Sequence, residues 1–318
     1  MTSKLYVPRD SSAVAMGADL VADKISQVAT ATKADVQIVR NGSRGMMWME
    51  PLLEVETASG RMGYANVTVD DVENFALNGF SESTLAGKGI GLVGEHPYLK
   101  NQERLCFARN GITDPTSIDD YMAHDGFKGL EAALALDGKS IVEIVTKSGL
   151  RGRGGAAFPT GIKWNTVLGC SADQKYIVCN ADEGDSGTFS DRMTMEGDPF
   201  ALIEGMSIAA LAVDATKGYL YLRSEYPHAE EVFNEALRIA REHSYIGDNI
   251  RGSKRSFDIE LRRAAGAYIC GEETSLLESL EGKRGLVRAK PPLPAIEGLF
   301  GKPTVVNNVI TFSSVPFI

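Results

Sequence analysis

A glycine-rich loop with cationic side chains carries the strongest chemical signal in the sequence. Residues 149–164 contain five glycines, two arginines and Lys163. Because glycine has no Cβ atom, such a loop can turn several backbone N–H groups inward, where they bind an anion. Arg153 and Lys163 would add positive charge. The loop therefore predicts a phosphate site; a flexible turn with solvated arginines is the alternative reading.

The same loop matches the dinucleotide-binding fingerprint at Gly152, Gly154 and Ala157. In that fingerprint the glycines follow a strand and open a helix. The residues before this loop are predicted to be helical, because Ser140 and Glu143 form a capping box. The loop is therefore not interpreted as that of a simple dehydrogenase, and the phosphate loop of nucleotide hydrolases, G-x-x-x-x-G-K-[ST], does not occur in the sequence.

A second cluster, residues 180–192, places several carboxylates on a glycine-containing turn. Asp182, Glu183 and Asp185 closely follow a predicted strand at residues 176–179. Such groups could ligate a metal, form an acid and base pair, or accept hydrogen bonds from ribose hydroxyl and amide groups. A transition-metal site usually includes imidazole, and the four histidines lie outside the motifs. A metal site is thus the least favoured interpretation. A solvated turn without a functional role is the remaining alternative.

Two further motifs lie near the end of the chain. Residues 266–274 run from a strand-like segment into a helix, and Glu272 and Glu273 are predicted in its first turn, where the helix dipole alone would explain them. The second motif is K-P-P-L-P at residues 290–294, followed by the paired amides at residues 307–308. Alone, the proline segment resembles a docking motif, but its position inside a folded domain disfavours that role.

The elements that must position these motifs alternate between strands and helices. Strands are predicted at residues 176–179, 219–222 and 257–261, separated by helices at 200–213 and from Pro227 onward. Strands separated by helices of this length predict an α/β domain with a parallel sheet. Ligands bind at the carboxyl ends of such strands. The loops after the first and third strands are therefore the expected site.

The first part of the chain has a different pattern. A strand at residues 4–7, a helix at 11–28, a strand at 36–39 and a hairpin at 52–69 predict a thioredoxin-like module. It contains no cysteine, which favours a structural or docking role. The predicted domains are a degenerate thioredoxin-like domain at 1–80, a linker and helical cap at 81–138, and a parallel-sheet α/β domain at 139–318.

Composition excludes several classes of protein. The 318 residues carry a formal charge of −9, without the basic excess that nucleic acid would require. No signal peptide or long apolar run is evident, so we expect a cytoplasmic protein without a membrane segment. The four cysteines include no C-x-x-C pair. This argues against a disulfide framework, a zinc site or an iron–sulfur ligand run on this chain.

Five motifs in order resemble the FMN-binding NADH dehydrogenase subunit of complex I and its soluble relatives. They are SGLRGRGGAAFPTGIKW, CNADEGDSGTFSDRM, GAYICGEETSLLESLEGKRG, KPPLPA and VVNNV. The N-terminal YVPRDSSAVAMGAD and the segment DEGDSGTF look most like the beta subunit of soluble NAD-dependent formate dehydrogenase. The diaphorase subunit of NAD-reducing hydrogenase and the complex I subunit are the alternatives; a cofactor-free assembly scaffold is the non-enzyme alternative.

The resemblance implies two sets of binding residues. Those matching FMN contacts are Gly152, Arg153, Gly154, Lys163, Asn180, Asp182, Tyr268, Gly271, Glu272, Asn307 and Asn308. Those matching NADH contacts are Phe158, Glu183, Asp185, Glu273 and Lys290, with Glu183 also assigned to catalysis. Leu293 stands where related subunits often have Phe, so weaker adenine stacking is expected.

The resemblance also implies a reaction and partners. We expect hydride transfer between NAD(H) and FMN, with electrons exchanged with iron–sulfur clusters, which makes the chain a flavoprotein diaphorase. The related subunits hold a 4Fe-4S cluster in a later segment, so that cluster is expected in a missing C-terminal segment or in a partner. The expected partners are an iron–sulfur subunit of the thioredoxin-like ferredoxin type and a larger catalytic subunit.

Overall fold

The computed structural model describes residues 2–77, 79, 80, 85 and 87–318, and it divides into two compact units. The first unit is Met1–Pro115 and the second is Thr116–Ile318. This division differs from the three parts drawn from the sequence, because the predicted linker and cap at 81–138 is shared between the two units. Its residues 81–84 and 86 lie outside the described residues.

The first unit contains a five-stranded sheet and short helices. Its elements are β1 (Ser3–Tyr6), α1 (Ser11–Ala15), α2 (Ala18–Thr32), β2 (Val36–Val39), β3 (Leu53–Thr57), β4 (Gly60–Tyr64), α3 (Val69–Leu77), β5 (Gly89–Leu92) and α4 (Pro97–Lys100). The strand order is β2-β1-β3-β4-β5; β1 and β2 are parallel, and the other pairs are antiparallel. Leu5, Ile25 and Phe75 are fully buried in its core.

Two local predictions for this unit differ from the structure. The helix predicted at 11–28 is broken at Gly17, whose φ of +98° is left-handed and outside helical geometry. The linker and cap predicted at 81–138 contains a strand, β5, which pairs with β4. The approach is close at Gly63, where a Cβ atom would lie 2.7 Å from Val93 Cγ2. A glycine-rich strand at a sheet edge carries no period-two pattern, so the sequence did not reveal it.

The second unit is an α/β layer structure. Its elements are α5 (Ile118–Ala123), α6 (Lys128–Leu134), α7 (Gly138–Lys147), α8 (Thr160–Gly169), β6 (Tyr176–Ala181), α9 (Ser190–Gly197), α10 (Pro199–Val213), β7 (Lys217–Leu222), α11 (Pro227–Glu242), β8 (Asp258–Arg263), α12 (Glu273–Leu280), β9 (Thr304–Asn308) and α13 (Val309–Ser314). The sheet order is β8-β7-β6-β9, and all pairs are parallel. The predicted α/β fold with a parallel sheet is confirmed.

Helix α10 forms the centre of the second unit. Every one of its residues is buried, and Asp198 and Pro199 begin it as the sequence predicts. Gly205 lets it approach α13, since a Cβ atom there would overlap the Phe312 backbone. A helix that is apolar on all sides must be covered on all sides. It therefore fixes the positions of β6 and α13, which carry parts of the site.

Two other boundaries differ from the sequence prediction. Helix α7 begins at Gly138 and is capped by Asp137, whose carboxylate accepts the N–H of Ser140 at 2.7 Å, so the capping box at Ser140 and Glu143 is wrong. The paired amides at residues 307–308 end a strand, β9, that was not predicted. This strand is five residues long and wholly buried except at its end, so it lacks the alternation that marks a half-buried strand.

Candidate functional site

The site lies at the carboxyl ends of β6 and β9, where Asn180 and Asn308 are paired in register. Two adjoining cavities of about 480 and 290 Å³ open there. They share part of their lining, namely Gly154, Asn180, Gly271, Glu272 and Asn308. Parallel strands bring their carboxyl ends to one edge, which is why motifs distant in sequence meet here.

The glycine loop forms a closed wall of both cavities. Its base is held by an isolated bridge between Arg151 and Pro159 and by the Gly152 N–H, which donates to the Phe158 carbonyl at 2.9 Å. The Arg153 N–H donates to Thr311 Oγ1 at 2.9 Å. A Cβ atom on Gly154 would lie 3.3 Å from Asn308 Cβ. The loop therefore has a defined conformation and packs against the end of β9.

Helix α8 supplies a partly buried lysine to the second cavity. Lys163 Nζ donates to the Val306 carbonyl at 2.6 Å and lies 3.7 Å from Glu273 Oε2. Burial lowers the pKa of Lys163, and the charge of Glu273 opposes this shift. A desolvated ammonium group gains from an added anion, because the anion stabilises its charged form.

The adjacent Trp164 belongs to the sequence motif but had no predicted role, and the structure gives it one. Its Nε1 donates to Asn307 Oδ1 at 3.0 Å, and both side chains are buried. This bond fixes the orientation of the Asn307 amide. The predicted FMN contact at Asn307 is thus a residue whose side-chain oxygen already has a partner within the protein.

The first residues of the acidic loop are ordered by the neighbouring turn. Asn180 Nδ2 donates to the Gly271 carbonyl at 2.8 Å, and Asn180 Oδ1 accepts the Asp182 N–H at 3.1 Å. Asp182 lines the larger cavity, and its Oδ2 atom is buried without a hydrogen-bond partner among the described residues. Burial raises the pKa of Asp182 to about 6, and Arg223 opposes the shift. This orphaned acceptor marks a place for a ligand donor.

Glu183 does more than the sequence predicted. Its carboxylate accepts the N–H groups of Asp191 at 3.0 Å and Arg192 at 3.2 Å, and so caps the start of α9. It also accepts from Ser190 Oγ at 3.2 Å and from Tyr226 Oη at 3.0 Å. Glu183 lines the larger cavity while satisfying these groups. A ligand bound there would meet a carboxylate that is already held in one orientation.

Asp191 is a cavity residue that received no role from the sequence. It is 6% exposed and lines the larger cavity from α9. Asn308 Nδ2 donates to Asp191 Oδ1 at 3.2 Å. Burial and the charge of Glu183 raise the pKa of Asp191 to about 8. Its residue type alone gave no signal, because only the fold turns this position of α9 toward β9.

The third motif, residues 266–274, caps helix α12 and also lines the two cavities. Glu272 accepts the N–H groups of Thr274 at 2.8 Å and Ser275 at 3.0 Å, so the capping role predicted for this pair is confirmed for Glu272. Lys290 Nζ donates to Glu272 at 3.0 Å and to Glu273 at 2.9 Å. These contacts tie the proline segment to the start of α12.

Tyr268 bridges the mouth of the larger cavity. Its side chain is 71% exposed, and its hydroxyl donates to Asp185 Oδ1 at 2.9 Å. Gly184 allows this arrangement, since a Cβ atom there would lie 2.6 Å from Tyr268 Cδ2. The tyrosine therefore connects the acidic loop to the turn before α12 and remains accessible to a ligand.

All sixteen residues predicted for FMN and NADH line one of the two cavities. The residues predicted for NADH divide between them: Glu183 and Asp185 line the larger cavity, whereas Phe158, Glu273 and Lys290 line the smaller one. Phe158 is 49% exposed and is free to stack on a planar ring. The structure brings these residues together, and their individual roles remain predictions.

The described residues include neither a candidate metal-binding group nor a candidate membrane-spanning helix. Within the described ranges, no group of three or more His, Cys, Asp and Glu side chains is arranged to hold a metal ion. Among the same residues, no helix combines the length and the apolar character needed to cross a bilayer.

The chain is similar to several known proteins. The family model described as the Nuo51 FMN-binding domain matches residues 145–317. The HndC subunit of the NADP-reducing hydrogenase of Solidesulfovibrio fructosivorans is 52% identical over 219 residues, which are 69% of this chain and 44% of that protein. A subunit of the NADH-quinone oxidoreductase of Aquifex aeolicus is 50% identical over 202 residues, 64% of this chain and 47% of that protein.

A solved structure extends the likeness to the whole chain. A chain of NAD+-reducing [NiFe]-hydrogenase in the H2-reduced state is 27% identical with a TM-score of 0.58, covering 99% of this chain and 52% of that one. This chain thus spans about half the length of the proteins it matches. Since the family model covers more than half of its residues, the chain belongs to the Nuo51 FMN-binding domain family, the flavoprotein family of complex I.

Proposed function

We propose that this chain binds FMN and NAD(H) in the two adjoining cavities and acts as the diaphorase part of a larger complex. The observation that carries the proposal is the convergence of all sixteen predicted residues on one edge of the parallel sheet, in a chain of an FMN-binding family. The cavities together are of a size that suits a cofactor and part of a second nucleotide.

The residues present fit FMN on two observations. The glycine loop approaches β9 so closely that a side chain at Gly154 would crowd Asn308, which leaves backbone at the cavity wall. The buried Asp182 Oδ2 lacks a donor that a polar ring edge would supply. Gly152, Arg153, Gly154 and Lys163 would surround the phosphate and ribityl chain, with the Arg153 and Lys163 side chains as the charged donors, since the N–H groups of Gly152 and Arg153 are used within the protein. Asn180, Asp182, Tyr268, Gly271, Glu272, Asn307 and Asn308 would hold the remainder.

The chain's own part in the reaction is to bind and orient. When bound, FMN supplies a ring that exchanges a hydride with nicotinamide and single electrons with an iron–sulfur cluster. Phe158 would stack on adenine, and Asp185, Glu273 and Lys290 would hold ribose and amide groups. Glu183, fixed by the start of α9 and by Tyr226, would accept a hydrogen bond from the nicotinamide nucleotide without reorientation.

The finer identity is that of the beta subunit of a cytoplasmic, NAD-dependent formate dehydrogenase. The support is the likeness of the first residues and of DEGDSGTF to that subunit. Its partners would be a thioredoxin-like ferredoxin subunit and a larger catalytic subunit, and a 4Fe-4S cluster would be held outside the residues present here. A hydrogenase diaphorase is the second candidate, favoured by the 52% identity to HndC.

A thioredoxin-like identity for the first unit completes the proposal. It is supported by the strand order β2-β1-β3-β4 with β1 and β2 parallel. Residues 1–80 contain no cysteine. We therefore assign this unit a docking or structural role rather than thiol chemistry.

The binding proposal is tested by titrating the full chain with FMN and following flavin fluorescence. Lys163→Met should weaken FMN binding by roughly tenfold or more, because a partly buried ammonium group beside the phosphate is lost. Lys147→Met, at the exposed end of α7, is the matched control and should change the affinity for FMN by less than about twofold. Anaerobic NADH should then bleach the visible flavin bands.

A chain that stays colourless after reconstitution with FMN would contradict the proposal and favour a scaffold. FMN binding without NADH bleaching would retain the flavin site and remove the diaphorase activity. The partner question is separate and is answered by metal analysis of the purified complex: molybdenum supports a formate dehydrogenase, and nickel supports a hydrogenase.

A further inference from the structure

Asp191 stands apart from the other carboxylates of the site. It is the second residue of α9, and although only 6% exposed it lines the larger cavity. Glu183 is bound to the same helix start, through the Asp191 N–H at 3.0 Å. The Glu183 carboxylate thus lies against the backbone of Asp191, both side chains are almost fully buried, and the charge of Glu183 acts on the Asp191 carboxyl group. Like charges so placed resist joint ionisation.

The groups around Asp191 come from five segments. The loop after β6 contributes Glu183, and β6 itself contributes the buried Cys179 thiol, whose pKa is raised by burial and by Asp191. The start of α13 contributes Asn308 Nδ2 at 3.2 Å and the Ile310 N–H, which are neutral donors. On α9, Arg192 Nε lies 4.0 Å from Glu196. Arg153 lines the same cavity from the glycine loop.

We propose that Asp191 is a positioning residue that carries a proton at neutral pH, so that this wall of the cavity presents one negative charge, that of Glu183, to a bound anion. A protonated Asp191 can accept the Asn308 amide and keep Asn308 oriented at the end of β9. The part of the proposal that concerns FMN rests on the proposed function. The protonation state itself does not depend on it.

The consequence for binding has a definite sign. FMN is an anion, so ionisation of Asp191 adds a repulsive charge within the same cavity. The pKa of Asp191 is raised to about 8, and FMN binding should therefore weaken as pH rises from 7 to 9.5. The repulsion between one added negative charge and the bound anion predicts that FMN affinity falls on the order of tenfold.

The proton is detected directly by infrared spectroscopy of the flavin-free full chain between pH 7 and 9.5, a range that lies above the pKa of Asp182. Burial also raises the pKa of Glu50 to about 8, so the measurement is made in a Glu50→Gln background. One carbonyl band of a protonated carboxyl group should disappear near pH 8. The band should be missing at all pH values when Asp191→Asn is added.

The binding consequence is measured by FMN titration at pH 7 and pH 9.5. Asp191→Asn should reduce the pH dependence, because its side chain is neutral throughout. Any loss that persists in this variant belongs to Lys163, whose pKa burial lowers, or to the flavin. Asp248→Asn, an exposed aspartate of the same unit, is the control and should retain the wild-type loss. This control shows that removing a negative charge elsewhere on the unit does not change the pH dependence.

The outcomes are distinct. No titrating carboxyl band in the Glu50→Gln protein would overturn the proposal, whether or not Asp191→Asn folds. An unchanged pH dependence of FMN binding in folded Asp191→Asn would overturn its consequence for binding. A band that titrates near pH 8 in a chain that binds no FMN at any pH would refute the proposed function and leave the protonation of Asp191 supported.

Discussion

Each unit of the molecule buries one carboxyl group whose pKa is raised to about 8: Glu50 in the first and Asp191 in the second. Glu50 is 1% exposed, and both its oxygens have partners, Ser43 Oγ at 3.0 Å and the Leu52 N–H at 2.9 Å. Asp191 is nearly as buried but lines an open cavity. The same desolvation thus occurs in a closed core in one unit and at the wall of the candidate site in the other.

Neighbouring carboxyl groups repeat this contrast. In the first unit, Glu54 accepts two hydrogen bonds of 2.8 Å from Arg44 and lies 3.5 Å from Arg61. In the second, Asp182 Oδ2 has no hydrogen-bond partner among the described residues. Buried polar groups that are fully paired hold a fold together, whereas an unpaired one at a cavity is available to a ligand. Pairing, more than burial, distinguishes Glu54 from Asp182.

Glu54→Gln tests a buried carboxylate that is fully paired, and it should have the largest effect on the free energy of unfolding. It leaves Arg44 and Arg61 partly buried without their carboxylate, which should lower the free energy of unfolding of the first unit by about 3 kcal/mol or more. Hydrogen exchange at the amides of β3 measures it.

Glu56→Gln, two residues along the same strand, is the matched control. Its side chain is 44% exposed and lies 3.7 Å from Arg61, so its loss should cost less than about 1 kcal/mol. Equal effects of the two substitutions would remove the distinction between paired burial and surface pairing.

Glu50→Gln should have the next largest effect, and it depends on pH. The pKa of Glu50 is raised from 4.5 to about 8, so the folded state binds more protons than the unfolded state between these values. The stability that this contributes is present below pH 4.5 and is lost as pH rises toward 8. Glu50→Gln should remove on the order of 2 kcal/mol of this decline at β3 between pH 5 and 8. An identical pH profile would show that Glu50 is not desolvated.

Asp182→Asn should have the smallest effect on stability. Its unpaired Oδ2 contributes no hydrogen bond, and the pKa of Asp182, raised to about 6, means that its charge is disfavoured in the fold at pH 7.5. The free energy of unfolding should change by less than about 1 kcal/mol, while FMN binding weakens. Urea unfolding followed by Trp164 fluorescence, in a Trp48→Phe background that removes the other tryptophan, measures the first quantity. A destabilisation as large as that of Glu54→Gln would show that Asp182 stabilises the fold rather than serving a ligand.

Much of the site could be predicted because its motifs sit at the ends of predicted elements. Strand β6 and helix α10 have strong apolar patterns and distinct starts, and the parallel sheet followed from their alternation. The partners of individual side chains could not be read in this way. Glu183 was assigned to a ligand, yet its oxygens also hold the start of α9. A capping contact across an irregular loop leaves no periodic trace in the sequence.

The sequence by itself determined which residues have the chemistry for phosphate and nucleotide binding, because glycine, lysine and carboxylate side chains have those properties wherever they lie. It also determined the parallel sheet, through apolar periodicity. The tertiary structure alone decided that β9 lies beside β6, that Trp164 orients Asn307, and that Asp191 faces a cavity. These depend on packing between segments far apart in the chain, and burial and pairing are properties of the assembled surroundings rather than of residue type.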